Sequence, residues 1–295
     1  MIKECLFVDV FTDVPYAGNQ LAVFTDIEGL SAIMMQKLAN EINYSETTFV
    51  SVCHDDTADF DMRIFTATRE LPFAGHPTLG TAFCIMELLD VWQKPRAVLR
   101  LKTKVGVIPL WKDSGCIWMT QNEPEFSAQY TDKREIAELV GLSVDDLSDE
   151  LPIEEVSTGN RMLIIPVKTL EAMRSAEGHS NNMKKFFASR GIGPYLFSLE
   201  TSETVTHVHT RFFAPHLGIL EDPATGSAAG PLAGYLLKYG VFGNSLNIVN
   251  EQGMEMGRPS KILMRGRKEN NTYTVEIGGM CAYVGKGSFE IHERA

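Results

Sequence analysis

One phrase occurs twice in this chain, and that repetition constrains its fold more than any other feature. Gly75-His76-Pro77-Thr78-Leu79-Gly80-Thr81-Ala82 is matched by Glu221-Asp222-Pro223-Ala224-Thr225-Gly226-Ser227-Ala228, at an offset of 146. Upstream, Arg63-Ile64-Phe65-Thr66 is matched by Arg211-Phe212-Phe213-Ala214 at 148, and Gly18-Asn19-Gln20-Leu21 by Gly159-Asn160-Arg161-Met162 at 141. The three anchors keep their order. An ordered set of this kind points to an internal duplication, with two similar domains of about 145 residues. The expected boundaries are 1–118 for the first half and 119–278 for the second, with a terminal strand at 279–295 packing back onto the first.

Each half reads as strands around one buried helix. Segments 5–11, 21–24, 47–53, 59–66 and 98–119 have strand character. Ser31 opens an amphipathic helix through Glu41 as its N-cap. The run from Thr78 to Leu89 is apolar on nearly every side, with Pro77 suited to a first helical turn, so that helix belongs inside the fold. The phrase from Asp222 to Gly240 predicts a second buried helix rich in small residues. Shorter helices are predicted over Asp132–Val140 and Asn181–Arg190. The fold class is therefore α+β.

Charge narrows the partners. The 295 residues carry 27 Lys and Arg against 38 Asp and Glu, a formal net charge of −11. Such a balance argues against wrapping nucleic acid, although a local pocket can still take a small anion. The five cysteines are scattered and odd in number, which suits a reducing cytoplasm better than a disulfide framework. The N-terminal apolar run is broken by Asp9, and no run of 18 apolar residues occurs, so neither a signal peptide nor a membrane span is expected.

Chemistry is expected at the helix starts. Free backbone N–H groups there attract anions. Gly80 and Thr81, with Gly226 and Ser227, would let a ligand approach the backbone closely, though small residues also let helices pack closely. His76 can exchange a proton near neutrality. Asp222, in the matching phrase, is a second candidate and also a natural N-cap. Glu46, in NYSETTFV, has no acidic counterpart in the second half, which marks it for a special task such as taking and returning a proton. Glu70 and Glu221 lie near the same motifs and compete with it. Asn19 and Ser227 are candidate ligand contacts. His207 and His209 alternate along a strand, with His216 beyond Pro215, but a metal site is not expected. Among nucleotide and nucleophile motifs, G-x-G-x-x-G, the P-loop, G-x-S-x-G and C-x-x-C are all absent from the sequence.

The segments AGNQLAVF (17–24), NYSETTFV (43–50), RIFTATRELPFAGHPTLGTA (63–82) and EDPATGSAAGPLAGYL (221–236) together resemble the PhzF family, named for phenazine biosynthesis. That resemblance implies a diaminopimelate-epimerase-like fold: two pseudo-symmetric domains, each a barrel-like mixed sheet around a central helix, with the site between them. It implies catalytic roles for Glu46, His76 and Asp222, substrate contacts at Asn19, Gly75, Gly226 and Ser227, no cofactor, no metal, and a homodimer. The activity it implies is isomerisation of a small carboxylate, as with trans-2,3-dihydro-3-hydroxyanthranilate. Racemases of the wider fold use paired cysteines at the helix starts, where this chain has none. A racemase or epimerase of a small amino or hydroxy acid, and a non-catalytic small-molecule binding protein, remain the alternatives.

Overall fold

A computed structural model describes residues 1–89, 98–178, 180–215 and 219–292. In chain order the elements are β1 (Ile2–Val10), β2 (Asn19–Phe24), α1 (Ala32–Ile42), β3 (Glu46–Val52), β4 (Phe60–Phe65), β5 (Glu70–Leu71), α2 (Gly75–Phe83), β6 (Leu99–Thr103), β7 (Gly106–Asp113) and β8 (Cys116–Thr120). There follow β9 (Glu125–Tyr130), α3 (Lys133–Leu139), β10 (Ile153–Ser157), β11 (Arg161–Pro166), α4 (Leu170–Ser175), α5 (Asn181–Arg190), β12 (Gly193–Ser198), β13 (Val208–Ala214) and β14 (Ile219–Asp222). The last elements are α6 (Gly226–Lys238), β15 (Ser245–Gln252), β16 (Ser260–Glu269), β17 (Thr272–Gly279) and β18 (Cys281–Glu290). The chain divides into two compact units, one of Met1–Met119 with the segment from Gly278 onward, the other of Thr120–Ile277. No helix among the described residues is long and apolar enough to cross a membrane.

In the first unit β1 pairs antiparallel with both β18 and β2. Strand β2 runs parallel to β3, β3 antiparallel to β4, and β4 lies antiparallel to β5 and parallel to β6. Helix α2 packs on β1, β2, β3 and β6, and every residue from Gly75 to Ala82 is buried. Its helix continues as one π turn, Cys84–Leu88. The sequence-predicted N-cap of α1 is present, with Ser31 Oγ accepting from the Met34 amide.

The second unit uses the same order of pairings. Strand β10 is antiparallel to β11, β11 parallel to β12, β12 antiparallel to β13, and β13 antiparallel to β14 and parallel to β15. Helix α6 packs on β10, β11, β15 and β16 and is buried except at Ser227 and Lys238. An apolar helix enclosed by strands is the consequence of residues with no polar face to turn outward. Four of these elements escaped the sequence reading, two of them the short strands β5 and β14. Strand β9 is mostly exposed and polar, and α4 is only six residues long.

Strand register corrects one inference from the repeat. Ile64 pairs with Leu71 in the first unit, and Phe212 pairs with Asp222 in the second. Four residues past these, Gly75 begins α2 and Gly226 begins α6. Leu71 therefore holds the place of Asp222, and His76 the place of Ser227. The matching phrases disguise this because their prolines do different work. Pro77 sits inside the first turn of α2, where its missing N–H would be unbonded anyway. Pro223 lies ahead of α6, so that helix begins only at Gly226, three residues past the proline.

Candidate active site

Glu46, His76 and Asn19 come together in the first unit. Glu46 opens β3 opposite Leu21 of β2, and Asn19 opens β2. His76 is the second residue of α2, which lies against both strands. His76 Nε2 is 3.4 Å from Glu46 Oε2, and both side chains are at least nine-tenths buried. On the other side of the ring, Asn19 Nδ2 is 3.2 Å from Nδ1. Burial pushes the imidazole down to about 3, only partly opposed by the carbonyl of Gln20 that accepts from it. The ring is thus neutral near pH 7, and the pair is suited to passing a proton rather than to holding a fixed ion pair.

The turn before Asn19 is held in conformations that most side chains avoid. Phe11 and Tyr16 have φ of 66° and 71°, and Gly18 has φ of 65°. A Cβ on Gly18 would lie 2.3 Å from the Val10 carbonyl oxygen, so only glycine fits there. Tyr16 N–H donates to Asp9 Oδ2 at 2.7 Å, fastening the turn that delivers Asn19.

The competing acids have structural partners. Arg63 Nε and Nη2 donate to the two oxygens of Glu70 at 2.8 and 2.9 Å, and Arg211 does the same to Glu221 at 2.8 and 2.9 Å. Each guanidinium also lies over a phenylalanine two residues on, Phe65 or Phe213. This is one bidentate clamp built in both units, and it removes Glu70 and Glu221 as candidate bases.

In the second unit, buried Asp222 ends β14, and Gly226 and half-buried Ser227 open α6. The N-cap of α6 is Thr225, not Asp222. Thr225 Oγ1 instead donates to Asp222 Oδ2 at 2.5 Å. Gly75 holds the corresponding first position of α2. Gly80 is a packing glycine: its missing Cβ would meet Leu21 Cδ2 at 2.6 Å and Val10 Cγ2 at 2.7 Å. Thr81 bonds Thr48 across the same interface, so neither residue offers backbone to a ligand.

His209 does not pair with His207 to bind a metal. His207 is exposed, with Nδ1 accepting from the Val249 amide. The buried His209 ring is flanked by Glu251 at 2.7 Å and Glu255 at 3.0 Å, which occupy both nitrogens. His216 lies outside the described residues. The thiols of Cys5, Cys84 and Cys281 are pushed up by burial, Cys5 to about 12, so they are poor nucleophiles. Sequence reasoning missed Thr225 and Gln252, which surround Asp222. The available signal was three successive polar residues, Asn250-Glu251-Gln252, ending a strand in which all three are buried.

A family model described as phenazine biosynthesis-like protein matches residues 8–287. The chain is 34% identical over 299 residues to a trans-2,3-dihydro-3-hydroxyanthranilate isomerase of Pseudomonas fluorescens, covering 96% of this chain and 98% of that one. It is 33% identical over 281 residues to an uncharacterized isomerase of Pasteurella multocida, covering 95% and 91%. Among solved structures, a PhzF-family phenazine biosynthesis protein of Bacillus anthracis is similar with a TM-score of 0.89 and 30% identity, over 99% of this chain and 100% of that one. A hydroxyproline epimerase of Agrobacterium vitis shares the fold at a TM-score of 0.65 and 11% identity, over 97% and 92%.

Proposed function

The chain belongs to the phenazine biosynthesis-like family and is an isomerase, and from that premise we propose that it moves a proton within a small cyclic amino or hydroxy carboxylate, without a cofactor. The observation that carries this reading is the buried carboxyl of Glu46 set 3.4 Å from a neutral His76 ring. Glu46 removes a proton from a carbon flanked by unsaturation and returns it at another carbon. The conjugated substrate spreads the developing negative charge, so the barrier is low enough for a carboxylate base. His76 and Asp222 hold the substrate's amine or hydroxyl, with His76 able to relay a proton to Glu46. Asn19 keeps the His76 ring oriented. The backbone at Gly75 and Gly226, with the Ser227 hydroxyl, receives the carboxylate, as helix starts favour anions.

The substrate class is supported by relatives named as trans-2,3-dihydro-3-hydroxyanthranilate isomerases. Five cysteines, odd in number and scattered along the sequence, support a reducing, cytoplasmic setting. The shared order of pairings and the repeated arginine clamp support descent from a duplicated half. We further propose the homodimer that the family resemblance implies, which light scattering checks. The function is tested by incubating the protein with trans-2,3-dihydro-3-hydroxyanthranilate in deuterated buffer and following the ring protons by NMR. Migration of the double bonds is expected. An unchanged substrate beside stoichiometric folded protein would overturn the assignment.

A further inference from the structure

Around Asp222 runs a chain of hydrogen bonds whose direction two backbone groups force. The Thr225 N–H can only donate, and it points at Gln252 Oε1 at 3.2 Å. The Asp222 carbonyl can only accept, and Gln252 Nε2 reaches it at 2.8 Å. The Gln252 amide is thereby fixed, so the Nε2 contact with Thr225 Oγ1 at 3.0 Å is a donation to the hydroxyl. Having accepted there, the Thr225 hydroxyl directs its own proton to Asp222 Oδ2. Behind Gln252, Asn250 Nδ2 donates to the Tyr195 hydroxyl at 2.9 Å, and that hydroxyl lies 3.1 Å from Gln252 Oε1. All five residues are at least nine-tenths buried.

The fold does not require this network. In the first unit Leu71 stands at the place of Asp222, since each pairs with the matching residue of the preceding strand. Ala74 is the N-cap where the second unit has Thr225. Leu101 pairs with Phe60 as Asn250 pairs with Val208, and Thr48 pairs with Ile64 as Tyr195 pairs with Phe212. Buried polar groups are costly unless satisfied and are easily replaced by apolar ones. The same backbone packs apolar residues at three of these places in one unit and an ordered donor chain in the other, where the acid stands.

We propose that Thr225 and Gln252 are positioning residues for Asp222, holding its carboxylate in one orientation as a hydrogen-bond acceptor, so that it receives the substrate's amine or hydroxyl and does not serve as an acid. This rests on the reading that Asp222 contacts substrate. Thr225 acts by donating to the carboxylate, and Gln252 by fixing the direction of the Thr225 hydroxyl.

Two measurements test it on the full chain. The first needs no substrate: a double-mutant cycle on the unfolding constant with T225V, D222N and both together. A hydrogen bond to a charged group is expected to couple the two positions by about tenfold or more. Coupling of less than about twofold would overturn the link. The second uses turnover of trans-2,3-dihydro-3-hydroxyanthranilate. T225V is expected to lower kcat/KM by about tenfold or more, and T225S to stay within about threefold of wild type because it keeps the hydroxyl. If T225V does not fold, T225A, which installs the residue found at this place in the first unit, takes its place. Equal losses in T225S and T225V, or wild-type turnover by T225V beside an inactive D222N, would overturn the proposal and leave the isomerase reading standing. Wild-type turnover by D222N would overturn the assigned role of Asp222 and the proposal with it. If the wild-type protein leaves the probe unchanged, the proposed substrate assignment fails, and the cycle alone decides whether Thr225 holds Asp222.

Discussion

Glu46 and Gly193 occupy the same point of their respective units. Each opens the strand that runs parallel to its neighbour, Glu46 opposite Leu21 and Gly193 opposite Met162. Gly193 is not merely an absent acid. A Cβ there would lie 2.6 Å from the Phe212 ring and 3.1 Å from Met162 Sδ. Aromatic packing fills the space through which a side chain would have to leave the strand.

G193A is therefore expected to destabilise the protein by about 1–3 kcal/mol through overpacking, while turnover per folded molecule stays near wild type. Chemical denaturation and kinetics on the same samples check this. An Ala variant of unchanged stability would show that Phe212 and Met162 yield freely, and that packing does not keep the position empty.

Acid should weaken the protein through His76. Its folded value is about 3, against an ordinary value near 6.5. Between those values the unfolded chain binds a proton that the folded protein refuses, so stability falls as pH drops from about 6.5 toward 3 and is unaffected by this group above that window. H76N cannot titrate there. Between pH 7.5 and pH 4 the wild type is expected to lose more melting temperature than H76N does. Equal losses would mean that the ring is not buried in its neutral form.

His209 should act in the opposite sense. Burial alone would push its ring down, but hydrogen bonds to Glu251 and Glu255 raise it above its ordinary value. Glu251 is held to about 2 despite its own burial, with His209, the Ser202 amide and Thr206 donating to it, and Arg211 adds its charge near Glu255. The folded state holds the extra proton, so the stability it contributes is full below about 6.5 and is lost as pH rises through the folded value. The stability gap between wild type and H209Q is expected to be larger at pH 6 than at pH 9.5. A gap independent of pH would contradict a charged ring between the two acids.

Much of this site was legible because burial and repetition leave marks in sequence. The two apolar runs announced helices inside the fold, and the lone acid at the start of NYSETTFV stood out against the second half. What misled was the alignment of Pro77 with Pro223. Arg63 and Glu70 are seven residues apart, whereas Arg211 and Glu221 are ten apart. That longer connection shifts the helix start and sets Asp222 against Leu71 rather than His76. The arginine clamps were hidden for a related reason, since each pairs residues on two strands that only the folded turn brings side by side. Gln252 was illegible near Asp222 because the parallel pairing of β13 with β15 joins residues about forty positions apart in sequence.

The most direct test of the central claim is E46Q. Gln keeps the shape and most of the hydrogen-bonding reach of a side chain that is about nine-tenths buried, but it cannot carry a proton between carbons at neutral pH. The measurement pairs thermal melting with turnover of trans-2,3-dihydro-3-hydroxyanthranilate for both proteins under the same buffer. The expected result is a melting temperature close to wild type and a rate lower by about 10²–10⁴. An E46Q protein that melts normally and isomerises at the wild-type rate would contradict Glu46 as the base.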